Sequence, residues 1–183
     1  MITLDILSLM DMTLVSLVDK TFLYPTDSLY GLWAFVSYEN VLKINNIKKR
    51  SPGKSYSIVA PSYTWIEENF VVKDFYNTRK DYYTSYGPVT VLCKRRDPSF
   101  LSYVSDNDYV GIRIIDHPFQ QFVEKIWLPF LSTSANISGE WYNEDAMKTL
   151  FSDTVDYYII NSSPMTKIWS TLIYYDNAII INR

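Results

Sequence analysis

The stretch from Leu131 to Glu140 reads LSTSANISGE and concentrates hydroxyl groups directly after a short apolar segment, IWLPF. The apolar segment predicts the end of a buried strand, and ligands in α/β proteins lie beyond strand ends. Ser132, Ser134 and Asn136 alternate along the chain, so on an extended backbone they point the same way. They could bind phosphate oxygens without adding charge, and an ordinary turn is the alternative.

A second stretch, IKKRSPGK, places two cations at a helix end. Lys48 and Arg50 are two residues apart at the end of a predicted helix that Pro52 and Gly53 break. A guanidinium grips phosphate or carboxylate through two bonds, and an ammonium adds a point charge. A solvated helix terminus is the alternative, since cations there also suit the helix dipole.

Two further stretches bring a carboxylate and another cation. In YPTDSLYGL a strand ends near Pro25, and Thr26, Asp27 and Ser28 follow; a turn or cap made by Asp27 or Ser28 is the alternative to a binding role. In GIRIIDHP, Arg113 lies in an apolar run, where an unpaired charge is costly. Either a ligand or a structural carboxylate such as Asp27 would explain it.

Other chemistries lack their residues. The sequence has no P-loop, no G-x-G-x-x-G and no G-x-S-x-G elbow. One cysteine and one histidine exclude a zinc site built mainly from these residues. Cys93 is predicted to be a buried small hydrophobe and His117 to lie in a turn before a helix rather than in a serine triad. Cations and hydroxyls without a P-loop suggest a cleft for a nucleotide or another multiply anionic ligand.

Length, composition and hydrophobic periodicity predict one α/β domain over residues 1–183, built on a twisted mixed sheet. The net charge of −3 argues against bulk attraction to nucleic acid. No convincing signal peptide or membrane span is present, so a cytoplasmic location is expected. Helices are predicted at about 5–19, 39–50, 62–83 in two pieces, 118–127 and 143–151. Strands are predicted at about 21–25, 55–60, 87–95, 109–115, 128–132, 155–160, 168–175 and 178–182.

Seven motifs in order resemble the YrdC/TsaC family, the threonylcarbamoyl-AMP synthases of tRNA modification. They are PTDSLYGL, KKR, GPVT, GIRIIDHP, SANISG, the pair Ser170–Thr171 and the terminal IIINR. Their order and spacing match the family over almost the whole chain. The resemblance implies a YrdC-like fold with a large, concave, positive cavity in the short, single-domain form.

The resemblance also implies an ATP-dependent nucleotidyltransferase reaction: L-threonine, bicarbonate and ATP give threonylcarbamoyl-AMP and pyrophosphate, the first step of t6A37 formation in tRNA. ATP with Mg²⁺ would be a substrate, and no permanently bound cofactor or protein-held metal is expected. The partners implied are a downstream threonylcarbamoyl transferase complex and a weak contact with tRNA, with no membrane.

The resemblance assigns roles to individual residues. Lys48 and Arg50 would be catalytic, binding phosphates and the carbamate. Arg113 would pair with the threonine carboxylate. The remaining predicted contacts are Thr26, Ser132 and Ser170 around threonine, and Ser134, Asn136 and Arg183 around ATP.

Some features depart from the family pattern. Trp33 stands where small residues are usual, RIID lacks a common proline, RSPGKSYS replaces a more regular proline-containing segment, and the chain stops at Arg183. Two other functions stay open: a non-catalytic paralogue that binds RNA or ribosomes, and a carbamoyl-transfer domain of the hydrogenase-maturation type. The acidic net charge disfavours the first, and the short length disfavours the second.

Overall fold

The structure, a computed structural model, describes residues 1–51, 53–160 and 163–181. These residues form ten strands and seven helices. The strands are β1 Ile2–Leu4, β2 Thr21–Tyr24, β3 Gly31–Phe35, β4 Ser57–Val59, β5 Val89–Lys94, β6 Tyr109–Arg113, β7 Phe130–Ser134, β8 Tyr157–Ile159, β9 Thr171–Tyr174 and β10 Ile180–Ile181. The helices are α1 Ile6–Met10, α2 Leu14–Leu17, α3 Tyr38–Lys48, α4 Tyr63–Asn69, α5 Phe75–Tyr86, α6 Phe119–Ile126 and α7 Glu144–Leu150. None of the helices in these ranges has the length and apolar character needed to cross a membrane.

The strands form one twisted sheet in the order β1-β8-β2-β3-β7-β4-β6-β5-β9-β10. Pairing is mixed: β2–β3, β3–β7 and β4–β7 are antiparallel, whereas β4–β6 and β5–β9 are parallel. The predicted α/β class with a twisted mixed sheet is therefore confirmed. The central strands β3, β7, β4 and β6 are paired on both edges, which gives the site built on them a fixed backbone.

Most predicted elements are present, with three differences. The helix predicted at 5–19 is two short helices, because Asp11 ends α1 and Thr13 begins α2. The strands β1 and β3 were not predicted. All five residues of β3 are buried, so its sequence GLWAF shows none of the alternation that marks a half-exposed strand. Helices α4 and α5 confirm the two-piece prediction for residues 62–83.

Alternate residues of the central strands divide between two apolar clusters, one on each face of the sheet. Leu32, Ile58 and Leu131 belong to the larger cluster, which also contains the buried Cys93. The other face carries a largely aromatic cluster. Its members include Trp33, Phe35, Phe119, Phe122 and Phe130. Burying each such side chain contributes about 1.5–3 kcal/mol, so the face beside the site is well fixed.

Candidate functional site

A cavity of about 300 Å³ lies on the face that carries the aromatic cluster, where large side chains give way to small ones. Ser57 and Ser132 pair across β4 and β7 and both line the cavity. Gly111 pairs with Ser57, and a Cβ there would lie 2.5 Å from the Ser57 hydroxyl oxygen. A larger residue than glycine at position 111 would therefore clash with Ser57 on the floor of the cavity. Hydroxyl groups dominate the lining, with contributions from Thr26, Ser28, Ser57, Thr90, Ser132, Ser134 and Ser170.

Thr26 organises the turn between β2 and β3. Its hydroxyl oxygen accepts from the Ser28 amide at 3.0 Å and from the Leu29 amide at 3.3 Å, and the hydroxyl donates to the Leu29 carbonyl at 2.9 Å. The turn considered as an alternative for this stretch does exist, but Thr26 holds it rather than Asp27 or Ser28. Thr26, which was predicted to contact threonine, also lines the cavity.

Arg113 and Asp27 form a buried ion pair at the end of β6. The Arg113 Nη2 atom lies 2.5 Å from Asp27 Oδ1 and 3.2 Å from Ser28 Oγ. Arg113 also lines the cavity, so the ligand and the carboxylate, weighed as alternatives for this arginine, are compatible. Within the described ranges its Nε has no hydrogen-bond partner. Asp27 and Ser28 thus fix the orientation of the guanidinium.

Arg50 is the second cation of the cavity. Helix α3 ends at Lys48, and Lys49 adopts a left-handed conformation with φ of 50°. The Arg50 amide then bonds back to the Asn45 carbonyl at 2.8 Å, which turns the chain off the helix. The guanidinium donates to the Ser55 carbonyl at 2.6 Å and lies 4.4 Å from the centre of the Tyr56 ring. Desolvation lowers the pKa of Arg50, and desolvation raises the pKa of Tyr56 to about 12.

Lys48 does not line the cavity, although it was predicted to bind phosphates. Its side chain is buried, and Nζ donates to the carbonyl oxygens of Ser134 at 2.5 Å and Asn136 at 2.6 Å. Nζ also lies 3.3 Å from Asn136 Oδ1. Burial, followed by the nearby Arg50 charge, lowers the pKa of Lys48 to about 7. Hydrogen bonds to three oxygen acceptors act in the opposite direction, because they favour the ammonium form. Lys48 therefore joins the end of α3 to the loop after β7.

The side chain of Asn136 is also bonded within the loop after β7. Strand β7 ends at Ser134, so Ser132 and Ser134 share a face and line the cavity, but the expected alternation does not reach Asn136. Asn136 Oδ1 accepts from the Ser134 hydroxyl at 2.6 Å, and Nδ2 donates to the Glu140 carbonyl at 2.7 Å. The amide holds the loop together and orients the Ser134 hydroxyl. Direct contacts of Lys48 or Asn136 with ATP stay predictions.

The segment just before β9 also lines the cavity. The Ser170 hydroxyl, predicted to contact threonine, lines the cavity and lies 2.8 Å from the Thr90 hydroxyl of β5. Trp169 lines the cavity beside it. Arg183, predicted to contact ATP, lies outside the described residues.

The cavity thus gathers six of the predicted residues from five separate parts of the chain: Thr26, Arg50, Arg113, Ser132, Ser134 and Ser170. Sequence reasoning missed Ser57, Thr90 and Trp169. Thr90 belongs to the GPVT motif, which was noticed without a role for its threonine, whereas the sequence gives no sign that Trp169 lines a cavity. His117 lies in the turn before α6, as predicted, where its carbonyl accepts from the Gln120 amide at 2.9 Å.

Comparison with known proteins identifies a family model and related sequences that match this chain. The family model for Sua5, YciO and YrdC, described as "Telomere recombination", matches residues 17–183. A relative from Methanocaldococcus jannaschii is 38% identical over 116 residues, which cover 63% of this chain and 54% of the relative. The threonylcarbamoyl-AMP synthase of Pseudoalteromonas atlantica is 24% identical over 148 residues, which cover 76% of this chain and 78% of that protein. The chain thus aligns with about half the length of the first relative.

Solved structures share the fold. Escherichia coli YciO superposes with a TM-score of 0.72 at 19% identity, covering 98% of this chain and 92% of that one. Sua5 of P. abyssi, complexed with L-threonine, gives a TM-score of 0.68 at 22% identity, covering 85% of this chain and 47% of that one. With a family model that spans nearly all of its residues and a shared fold, this chain belongs to the Sua5/YciO/YrdC family.

Proposed function

We propose that this protein is a threonylcarbamoyl-AMP synthase, which converts L-threonine, bicarbonate and ATP into threonylcarbamoyl-AMP and pyrophosphate. The observation that carries the proposal is the composition of the cavity. Arg50 and Arg113 line it together with a ring of hydroxyls, and no carboxylate is among the described residues that do so. Such a lining suits a ligand with several anionic groups and a small polar body.

The chemistry requires charge neutralisation and positioning more than proton transfer. The threonine amine attacks carbon dioxide derived from bicarbonate, loses a proton and becomes a carbamate. A carbamate oxygen then attacks the α-phosphorus of ATP, and the bond to the β-phosphate oxygen breaks to release pyrophosphate. Both reacting partners are anions, so a cation between them lowers the barrier by offsetting their repulsion.

Arg50 is suited to lie between the two reacting anions, the carbamate and the α-phosphate of ATP. Its guanidinium is held by the Ser55 carbonyl and the Tyr56 ring, so it meets the ligand with little loss of side-chain freedom. Partial burial strengthens its field at the cavity. We assign Arg50 to the phosphate and carbamate oxygens, and Ser134 to the nucleotide.

Arg113 is assigned to the threonine carboxylate, with Thr26, Ser132 and Ser170 around the amino acid. Lys48 and Asn136 act mainly by holding the loop that carries Ser134, as their hydrogen bonds suggest. Direct contact with ATP would require either side chain to exchange some of these bonds for ligand oxygens. The complex of P. abyssi Sua5 with L-threonine supports an amino-acid site in this fold.

ATP is bound as a substrate with Mg²⁺, and the product passes to a threonylcarbamoyl transferase that modifies tRNA in the cytoplasm. The test is pyrophosphate release from ATP and bicarbonate, with and without L-threonine, and with L-serine as the control amino acid. Release that depends on threonine, accompanied by the adenylate in the product mixture, is expected. If the folded protein binds RNA but releases no pyrophosphate, the alternative of a non-catalytic RNA-binding paralogue replaces the proposed enzyme.

A further inference from the structure

Trp169 is an aromatic side chain in the otherwise hydroxyl-rich lining of the cavity. It directly precedes Ser170, which also lines the cavity and is assigned above to the amino acid. Consecutive Cα atoms lie only about 3.8 Å apart. Trp169 therefore lies at the end of the cavity that is assigned to the amino acid, whereas Arg50 and Ser134 mark the end assigned to the nucleotide.

The backbone that carries Trp169 is tied to the protein on both sides. Before it, the Lys167 amide donates to the Ser28 carbonyl at 3.0 Å, and Ser28 is itself part of the cavity lining. After it, the Thr171 amide donates to the Pro88 carbonyl at 2.8 Å, where β9 begins. These bonds fix the position of Trp169 relative to the amino-acid end of the cavity.

The indole ring is supported by a second aromatic residue. It meets the Tyr142 ring edge-on, with centroids 6.5 Å apart and an interplanar angle of 77°. The Tyr142 hydroxyl in turn accepts from the Tyr30 amide at 3.2 Å, and Tyr30 lines the cavity. The indole thus rests on a ring that is bonded to another part of the cavity wall.

Trp169 offers a ligand more free apolar surface than the other large apolar side chains of the described lining. Leu29, Tyr30 and Tyr56 also line the cavity, but each keeps 7% or less of its surface exposed. Trp169 keeps 37%. A partly exposed indole beside a cavity gains stability when apolar atoms of a ligand cover it.

We propose that Trp169 is a specificity residue whose indole packs against the side-chain methyl group of the bound amino acid and so favours L-threonine over L-serine. The proposal rests on the function proposed above, in which the carboxylate pairs with Arg113 and the amine stays free to react. The side-chain hydroxyl finds hydrogen-bond partners among the hydroxyls of the lining. The methyl group needs an apolar surface instead, and Trp169 supplies one at this end of the cavity.

L-Serine tests the contact, because it is L-threonine without the methyl group. Calorimetry measures the binding of both amino acids to the wild-type protein and to Trp169→Ala. Wild type is expected to bind threonine about tenfold or more tightly than serine, which is the usual effect of one such group in an apolar pocket. In Trp169→Ala threonine should weaken to nearly the affinity of serine, while serine binding should change little. Trp169→Phe should keep part of the preference, because a phenyl ring still presents an apolar face.

Trp127→Ala is the matched control, because Trp127 is exposed at the end of α6 and is absent from the described cavity lining. It should leave the preference for threonine unchanged. An unchanged preference in folded Trp169→Ala would overturn the proposal. Weakened ATP binding in that variant, with the preference intact, would place the indole against the nucleotide and would overturn it equally.

A measurement on the wild-type protein does not depend on the folding of any variant. A nuclear Overhauser effect is expected between the methyl protons of bound L-threonine and the indole protons of Trp169. If threonine saturates the protein without this effect, the contact with Trp169 is refuted and the proposed function stands. A wild type that neither binds threonine nor releases pyrophosphate in its presence would refute the proposed function as well.

Discussion

Arg113 Nη2 and Asp27 Oδ1 lie 2.5 Å apart in a buried ion pair at the edge of the cavity. The pair joins β6 to the turn that Thr26 organises, so the same contact supports the fold and aims the guanidinium. Asp27 also lies 3.4 Å from the Asp116 amide, which ties it to the segment after β6. A ligand carboxylate at Arg113 would thus meet a cation whose position is already fixed.

Removal of Asp27 should be costly. Asp27→Ala leaves the Arg113 charge buried without its partner, and the free energy of unfolding is expected to fall by roughly 3–5 kcal/mol. Urea denaturation measures the loss. Asp19→Ala is the control, because Asp19 is exposed and its carboxylate pairs with the neighbouring Lys20; the change should alter stability by no more than about 1 kcal/mol. Equal losses of unfolding free energy in the two variants would show that the buried ion pair stabilises the fold no more than an exposed one.

Arg50 should matter for the reaction far more than for the fold. Arg50→Ala removes the guanidinium at the proposed phosphate and carbamate position, and kcat is expected to fall on the order of 10²–10³-fold. Threonine-dependent pyrophosphate release is the assay. Arg96→Ala serves as the control, since Arg96 is exposed and donates to the Glu67 carbonyl away from the cavity lining. Comparable rates for Arg50→Ala and Arg96→Ala would remove Arg50 from the mechanism.

The buried Lys48 should leave a mark on the pH dependence of stability. Its pKa is lowered to about 7 in the folded protein, so between roughly pH 7 and 10 the unfolded chain binds more protons at this residue than the folded chain. Its contribution to the free energy of unfolding should therefore rise with pH in that window and be lost as the pH falls through about 7. Denaturation of wild type and Lys48→Met at several pH values isolates the effect. A pH-independent difference would mean that the three oxygen acceptors keep the ammonium form dominant throughout.

Gly31 and Trp33 should be energetically coupled. Gly31→Ala places a methyl group 1.9 Å from the indole nitrogen, and overpacking of this kind costs about 1–3 kcal/mol. A smaller side chain at position 33 relieves the clash, so Trp33→Leu combined with Gly31→Ala should lose less stability than the sum of the two single changes. A double-mutant cycle measures the difference. Additive losses would contradict the close approach.

The sequence allowed much of the fold and of the site to be predicted, because both rest on local patterns. Helix α3 and its cations, the apolar strands, and the hydroxyls of Ser132 and Ser134 follow from periodicity and residue type. Strand β3 could not be recognised, since a strand buried on both faces has no alternation. The successful predictions depend only on residues that are close together in the sequence.

The burial of Lys48 and Asn136 outside the cavity lining has a different origin. Both were expected to face the ligand because ammonium and amide groups bind phosphate well. Their hydrogen bonds instead close the loop after β7, a choice that depends on how α3 and β7 meet in space. Burial and partner choice for polar groups are tertiary properties, so residue type and spacing could name these two residues without settling their contacts.

The position of β7 between β3 and β4 also has a consequence for how fast the floor of the cavity, where Ser132 of β7 lies, can move. Both edges of the strand are hydrogen-bonded, and its first three residues are buried. Its amide hydrogens should therefore exchange with deuterium among the slowest in the protein, through opening of the sheet as a whole rather than local fraying. The Ser132 hydroxyl would keep its place through many turnovers, and the adjustments that admit substrates and release products would fall to the loops around it.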